Sequence, residues 1–265
     1  MYNSFQLAKK YLRYYLTASN GKGHGIHSPF VFDFIKQVLN DKKDYECYQL
    51  IEQQRKTLLN DTTVIEIEDF GAGSAVIKTN TRVVKNIAAS SLKPKKFSQL
   101  LFRMVQYYQP KTILELGTSL GITSAYLASG NTNATLDTCE GAANIATIAR
   151  QTFSNLDIKN VTITEGDFAK TLPLLLSQLQ QIDVAFVDGN HRMVPTLDYF
   201  TQLLTVSKVS TILIFDDIHW SEEMETAWKE IQQHPSVTLT IDLFFIGIVI
   251  LNNDIKVKQH FVIRF

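Results

Sequence analysis

The sequence predicts an α/β fold: a seven-stranded, mostly parallel sheet that ends in an antiparallel hairpin and follows a mainly helical N-terminal extension. Three observations carry that expectation. After Pro110, short β-rich runs alternate with helical runs. The last two runs, Val237–Phe244 and Ile246–Leu251, are joined by little more than a turn, and such a link forces antiparallel pairing because a parallel crossover needs about a dozen residues. The 265 residues are 45% hydrophobic and 20% charged, so the chain can bury a full core without staples.

Taken in order, residues 3–17 read as an aromatic-rich helix. A glycine-rich loop follows, in which His24 and His27 lack the further ligands that a metal site needs. Ser28-Pro29 starts a helix expected to reach Leu39. Residues 45–59 read as a third helix, and Val64–Glu68 alternates as a strand or hairpin arm. Asp69-Phe70-Gly71-Ala72-Gly73-Ser74 reads as a tight loop, and Gly71, Gly73 and Ser74 are candidates for a lid over an active site. Phe97, Leu100, Leu101, Met104, Val105 and Tyr108 share one helical face, closed by Pro110.

Five βα units come next. The strands are Thr112–Leu116, Ala134–Cys139, Val161–Thr164, Ile182–Val187 and Thr211–Phe215. The helices are Gly121–Ser129, Ala142–Phe153, and stretches near 168–180, 193–205 and 221–233. The organisation expected is an N-terminal helical extension over 1–95 and a cofactor-binding domain over 96–265.

Charge and cysteine content exclude some functions. Lys plus Arg is 26 and Asp plus Glu is 26, a balance that argues against gripping nucleic acid as the main work, so no nucleic-acid partner is expected. Cys47 and Cys139 form no Cys-x-x-Cys pair, which fits a reducing compartment. Met1–Tyr15 has no clean apolar core for an export signal, and Leu243–Leu251 is about half the ~20 residues of a membrane helix. A cytoplasmic protein with no membrane partner is expected.

The segment Ile113-Leu114-Glu115-Leu116-Gly117-Thr118-Ser119-Leu120-Gly121 joins the first strand to the first helix of the βα series. Open α/β sheets bind ligands at the carboxyl ends of their strands. Gly117 suits a tight turn with close backbone approach, and Gly121 lets the helix sit near the sheet. The helix N-terminus offers N–H groups to an anion. A dinucleotide loop carries a glycine where Ser119 stands, so a smaller anion such as an amino-acid carboxylate fits better than a pyrophosphate. Glu140 ends the second strand, where a carboxylate can accept from both ribose hydroxyls. Asp167 follows the third strand and can accept from an adenine amino group, with Phe168 packed on the ring. Three successive strand ends thus favour an adenosine site.

From about Phe97 to His219 the chain resembles the class I S-adenosylmethionine-dependent methyltransferases, specifically the catechol and caffeoyl-CoA O-methyltransferase group. Lys96-Phe97-Ser98-Gln99-Leu100-Leu101 resembles the segment before their first strand. Glu115 to Thr123 resembles their first motif, and Cys139-Glu140-Gly141 their ribose-binding strand end. The resemblance implies a Rossmann-like methyltransferase fold. It also implies cofactor contacts at Glu115, Gly117, Thr118, Ser119, Gly121 and Thr123, the Thr123 hydroxyl meeting the methionine carboxylate.

At the reacting end, Asp188 closes the fourth strand and Asp216-Asp217 the fifth. Three clustered carboxylates repel unless a cation or protons intervene, and oxygen ligands suit Mg²⁺ or a similar hard ion. In the resembling enzymes an Asp at the Asp188 position and an Asp-Asn pair at Asp216-Asp217 hold the ion; here the pair is Asp-Asp. Those enzymes have a lysine where this chain has His191, which is a reasonable base because imidazole titrates near neutrality. His219 is the second candidate base, and Asp188 joins them as a catalytic candidate. The expected function is O-methylation of a small molecule with a divalent cation, and a homodimer is left open. Competing readings are a cofactor-binding protein without turnover, a methyltransferase of macromolecules and a dinucleotide oxidoreductase.

Overall fold

The computed structural model describes residues 1–67, 81–252 and 254–265. The loop expected over Asp69–Ser74, with its lid role for Gly71, Gly73 and Ser74, lies outside the described residues. Contacts group the chain into two compact units, one of residues 1–41 with 179–265 and one of residues 42–178.

The first unit opens with α1 (Ser4–Thr17). Asn3 caps it by accepting from the Gln6 N–H at 2.9 Å, while the Gln6 side chain accepts from the Asn3 N–H at 3.0 Å. Leu7, Tyr11, Tyr14 and Ala18 recur at helical spacing and pack on Phe244 and Phe245. α2 (Pro29–Asp33) has proline in its first turn, as expected. The single helix expected to Leu39 changes character at Phe34: residues 34–39 form a π-helical turn in which Phe34, Ile35, Val38 and Leu39 are buried.

The second unit holds α3 (Glu46–Asn60), β1 (Val64–Glu66), β2 (Thr81–Val83), α4 (Val84–Ser91) and α5 (Lys95–Tyr108). β1 and β2 form a two-stranded antiparallel sheet. There follow β3 (Thr112–Leu116), α6 (Ile122–Gly130), β4 (Thr135–Glu140), α7 (Ala143–Asn155), β5 (Val161–Glu165) and α8 (Phe168–Gln178). The three long strands are parallel in the order β3-β4-β5, with Leu116 opposite Cys139 and Glu140 opposite Glu165. That register aligns their carboxyl ends. Tyr48, Ile51, Val84, Ile87, Phe102, Ile122 and Tyr126 form one core, which ties α3, α4 and α5 to α6. β2 and α4 went unassigned in the sequence because three strand residues and two helical turns carry little periodicity.

The first unit resumes with β6 (Ile182–Val187), α9 (Met193–Thr205), β7 (Ser207–Asp216), α10 (Glu222–Gln233), β8 (Leu239–Asp242), β9 (Ile246–Ile250) and β10 (Gln259–Val262). The strand order is β10-β8-β9-β7-β6. β9 runs antiparallel to both β7 and β8, which is the hairpin the short Leu243–Phe245 link requires. β10 is a correction to the sequence reading. It lies parallel to β8 at the sheet edge and, among the described residues, raises the expected seven strands to eight, three in one unit and five in the other. Four residues with a half-exposed pattern gave no strand signal. Among the described residues no helix is long and apolar enough to cross a membrane.

Candidate functional site

The turn between β3 and α6 is held from below by a buried polar chain. Glu115 is fully buried on β3. Its carboxylate accepts from the Ser124 hydroxyl of α6 and from Thr138 Oγ1 of β4 at 2.7 Å. Thr118 Oγ1 meets Thr138 Oγ1, also at 2.7 Å. A buried carboxylate needs such donors. Glu115 and Thr118, expected to touch the cofactor, therefore have side chains that form the floor of the loop. Ser124 and Thr138 were not foreseen. The signal was the register, since β pairing sets Thr138 opposite Glu115.

Above this floor the backbone turns sharply. Gly117, Ser119 and Gly121 have φ of 104°, 49° and 83°, all left-handed. The Gly117 and Thr118 N–H groups donate to Cys139 O at 3.0 and 3.2 Å, fastening the loop to β4. Gly121 is the N-cap residue of α6 and has no side chain to cap it, so the first-turn N–H groups are not closed by their own cap. Thr123 is buried in that first turn. A helix start of this kind suits a carboxylate ligand.

Glu140 ends β4 beside this turn. Its Oε2 accepts from the Ser119 N–H at 2.8 Å and its Oε1 from the Ala142 N–H at 3.0 Å. These two backbone bonds fix the orientation of the carboxylate. Neighbouring Cys139 is buried, and burial pushes its thiol up to about 11, so it is no nucleophile at neutral pH. Asp167 stands after β5, and its Oδ1 accepts from the Ala169 N–H at 3.0 Å, capping α8. Phe168 is the first residue of α8 and half-buried. Glu115 to Thr123, Glu140, Asp167 and Phe168 all fall in the 42–178 unit, at the carboxyl ends of three adjacent parallel strands.

The reacting-end candidates fall in the other unit. β6 and β7 are parallel with Val187 opposite Phe215, so Asp188 and Asp216 leave their strands side by side. Asn190 is left-handed at φ 60° and folds the chain so that His191 returns to Asp188, with Nε2 3.6 Å from Oδ1. Ligand atoms of Asp188, His191 and Asp216 all lie within 4.8 Å of one another, a donor set that fits a divalent cation. Asp217, expected as the third metal ligand, is not in this group. Its backbone is left-handed at φ 53° and its N–H donates to Phe245 O at 2.6 Å, which carries the chain away from the β7 end.

His219 has a different setting. Nε2 meets Asp242 Oδ2 at 2.8 Å, Nδ1 meets Glu225 Oε1 at 3.1 Å, and the ring stacks on Phe244. Glu225 is also bonded by Lys10 Nζ at 2.9 Å and Tyr2 Oη at 3.0 Å. Burial alone would lower the His219 pKa, but Asp242 and Glu225 outweigh it and raise it. His219 thus fastens α1 and α10 to β8. It is not in the group formed by Asp188, His191 and Asp216.

Residues 114–218 match the profile of a family described as a methyltransferase domain. A search of the curated proteins finds no match. Several solved structures are similar to the chain. One is an SAH-bound methyltransferase of Podospora anserina, with a TM-score of 0.59, 12% identity, and 96% of this chain and 98% of that one covered. Another is an O-methyltransferase of Bacillus cereus in complex with SAH, with a TM-score of 0.56, 19% identity, and 83% and 97% covered. The O-methyltransferase TomG of Streptomyces achromogenes, in complex with SAM, gives a TM-score of 0.56, 17% identity, and 84% and 96% covered. The chain thus has the Rossmann-like fold of class I S-adenosylmethionine-dependent methyltransferases, in the form seen in O-methyltransferases, and its residues 114–218 match the methyltransferase-domain family.

Proposed function

We propose that the chain is an S-adenosylmethionine-dependent methyltransferase that methylates a hydroxyl oxygen of a small molecule with the aid of a divalent cation. One observation carries the reading: the Glu140 carboxylate is pinned by the Ser119 and Ala142 N–H groups beside the Gly117–Gly121 turn. This presents a rigid acceptor next to an uncapped helix start. Ser119 stands where a pyrophosphate-binding loop keeps a glycine, which disfavours a dinucleotide. The two cofactor-bound O-methyltransferase structures support the same choice.

When bound, the cofactor supplies a sulfonium methyl group, and a cation supplies positive charge beside an acceptor oxygen. The α6 N-terminus receives the amino-acid carboxylate through its backbone N–H groups, with Thr123 in the same turn. Glu140 accepts from the ribose hydroxyls, and Asp167 with Phe168 receives the adenine. Asp188 and Asp216 hold the cation. The protein's part is positioning, because transfer requires the acceptor oxygen about 3 Å from the methyl carbon and in line with the breaking bond. Zero net charge favours a small acceptor over nucleic acid.

Titration calorimetry with S-adenosylhomocysteine tests the reading. The wild-type chain should bind it, and Glu140→Ala should weaken binding by at least tenfold, about 1.4 kcal/mol or more. Unchanged affinity in the variant would remove the ribose assignment.

A further inference from the structure

The loop after β6 carries an observation that the assignment of His191 as a base leaves unused. His191 Nε2 stands 3.6 Å from Asp188 Oδ1, beyond a hydrogen bond. Two ligands of one ion at ~2.1 Å are separated by roughly 3.0–4.2 Å, and this distance falls in that range. Asp216, 4% exposed, supplies the third donor from the neighbouring strand. Asp217, which would have made the set all-oxygen, is outside the group.

We infer that His191 is a metal ligand, and that Asp188, His191 and Asp216 form a nitrogen-and-oxygen site selective for a borderline transition ion, Zn²⁺ above all, over Mg²⁺. The inference deepens the proposed function and rests on its cation. Mg²⁺ requires near-octahedral oxygen coordination and gives up its waters reluctantly. Imidazole suits Zn²⁺ and its neighbours, whereas carboxylate and water suit Mg²⁺. Three protein donors match the number that catalytic zinc sites use, which keep a fourth position for water or substrate.

The backbone explains why the histidine can reach. Asp188 continues β6, and Gly189-Asn190 makes the return, Asn190 accepting the left-handed conformation that most residues avoid. Asn190 Nδ2 donates to Tyr199 Oη on α9 at 3.3 Å, which steadies the turn. His191 is half-buried, and its side chain is reached from solvent without opening the core.

Calorimetry of the full chain with Zn²⁺ alone and with Mg²⁺ alone tests the inference. Zn²⁺ should bind at one site at least a hundredfold more tightly than Mg²⁺. His191→Ala should weaken Zn²⁺ binding at least tenfold and change Mg²⁺ binding less than threefold, and Asp216→Asn should weaken both. His24→Ala with His27→Ala should leave the site unaltered, which separates it from histidines in the glycine-rich loop. Should His191→Ala fail to fold by circular dichroism, the Co²⁺-loaded wild type decides: near-tetrahedral visible bands support the ligand set, and an octahedral hydrated spectrum overturns it. Equal affinity for the two ions, no bound ion, or full Zn²⁺ affinity in His191→Ala would each overturn the inference. S-adenosylhomocysteine titrated into the same metal-free samples reports separately on the methyltransferase reading. Retained binding with no ion selectivity sinks the metal inference alone, and lost binding sinks the reading beneath it.

Discussion

Gly121 shows how one residue's geometry sets the turn between β3 and α6. Its φ of 83° is left-handed, and a Cβ there would stand 2.9 Å from Phe153 Cε1 and 3.2 Å from Ala149 Cα. Phe153 is itself buried, so its ring has little room to retreat. Gly121→Ala therefore combines backbone strain with a clash on α7, and a loss of about 1–3 kcal/mol is expected. Urea unfolding measures it, and a change under about 0.5 kcal/mol would show the turn to be more pliant than its contacts suggest. Gly117 and Gly121 were legible from spacing alone, because a strand–turn–helix passage demands such residues. Glu115 was legible as part of a motif but not in its role. Only the pairing with Thr138 reveals a carboxylate turned into the protein.

At the scale of elements, α1 is fastened to its unit by two kinds of contact. Tyr11 and Tyr14 pack on Phe244, at ring centroid distances of 5.1 and 5.3 Å. Lys10 and Tyr2 bond Glu225, which in turn bonds His219. Burial would raise the Glu225 pKa, but Lys10, His219 and Tyr2 overcome it and hold it below the usual carboxylate value. The His219 pKa is raised. A raised histidine adds stability that is complete below its unfolded pKa of about 6.5 and is lost as pH rises through the folded value. A lowered glutamate adds stability above its unfolded pKa of about 4.3 that is lost as pH falls through the folded value. The network should contribute most between those limits. The melting-temperature difference between wild type and His219→Gln should therefore be largest near about pH 5.5 and shrink toward alkaline pH. A difference that stays flat across that range would show that His219 is held by packing rather than charge. None of this was legible in the sequence. His219 lies two residues past an Asp-Asp pair, which suggests chemistry, whereas its partners Glu225 and Asp242 are brought in by α10 and β8, and Lys10, which bonds Glu225, by α1.

On the scale of the whole molecule, the sequence carried the order of strands and helices after Pro110 because each βα unit repeats the same change from strand to helical spacing. It missed β2, α4 and β10, which are too short to show a period and are defined by what they pair with. Asp217 lies outside the group of Asp188, His191 and Asp216, and the left-handed turn at that position, which spacing does not announce, shows where the chain goes. The residues proposed for the cofactor, by contrast, fall together because they follow three consecutive strands in one unit. That placement has a thermodynamic consequence for the full chain. A ligand bound only to the folded state adds about 2.7 kcal/mol at a hundred times its Kd. For a chain of this length each kcal/mol moves the melting temperature by roughly 2–4 °C. S-adenosylhomocysteine at that excess should therefore raise the first unfolding transition by about 5 °C or more, and NAD at the same concentration should leave it in place. The Glu140→Ala chain should lose about half of the shift or more while melting near the wild type without ligand. If NAD stabilises the protein as well as S-adenosylhomocysteine does, Ser119 does not discriminate against a pyrophosphate, and the adenosyl cofactor has been misassigned.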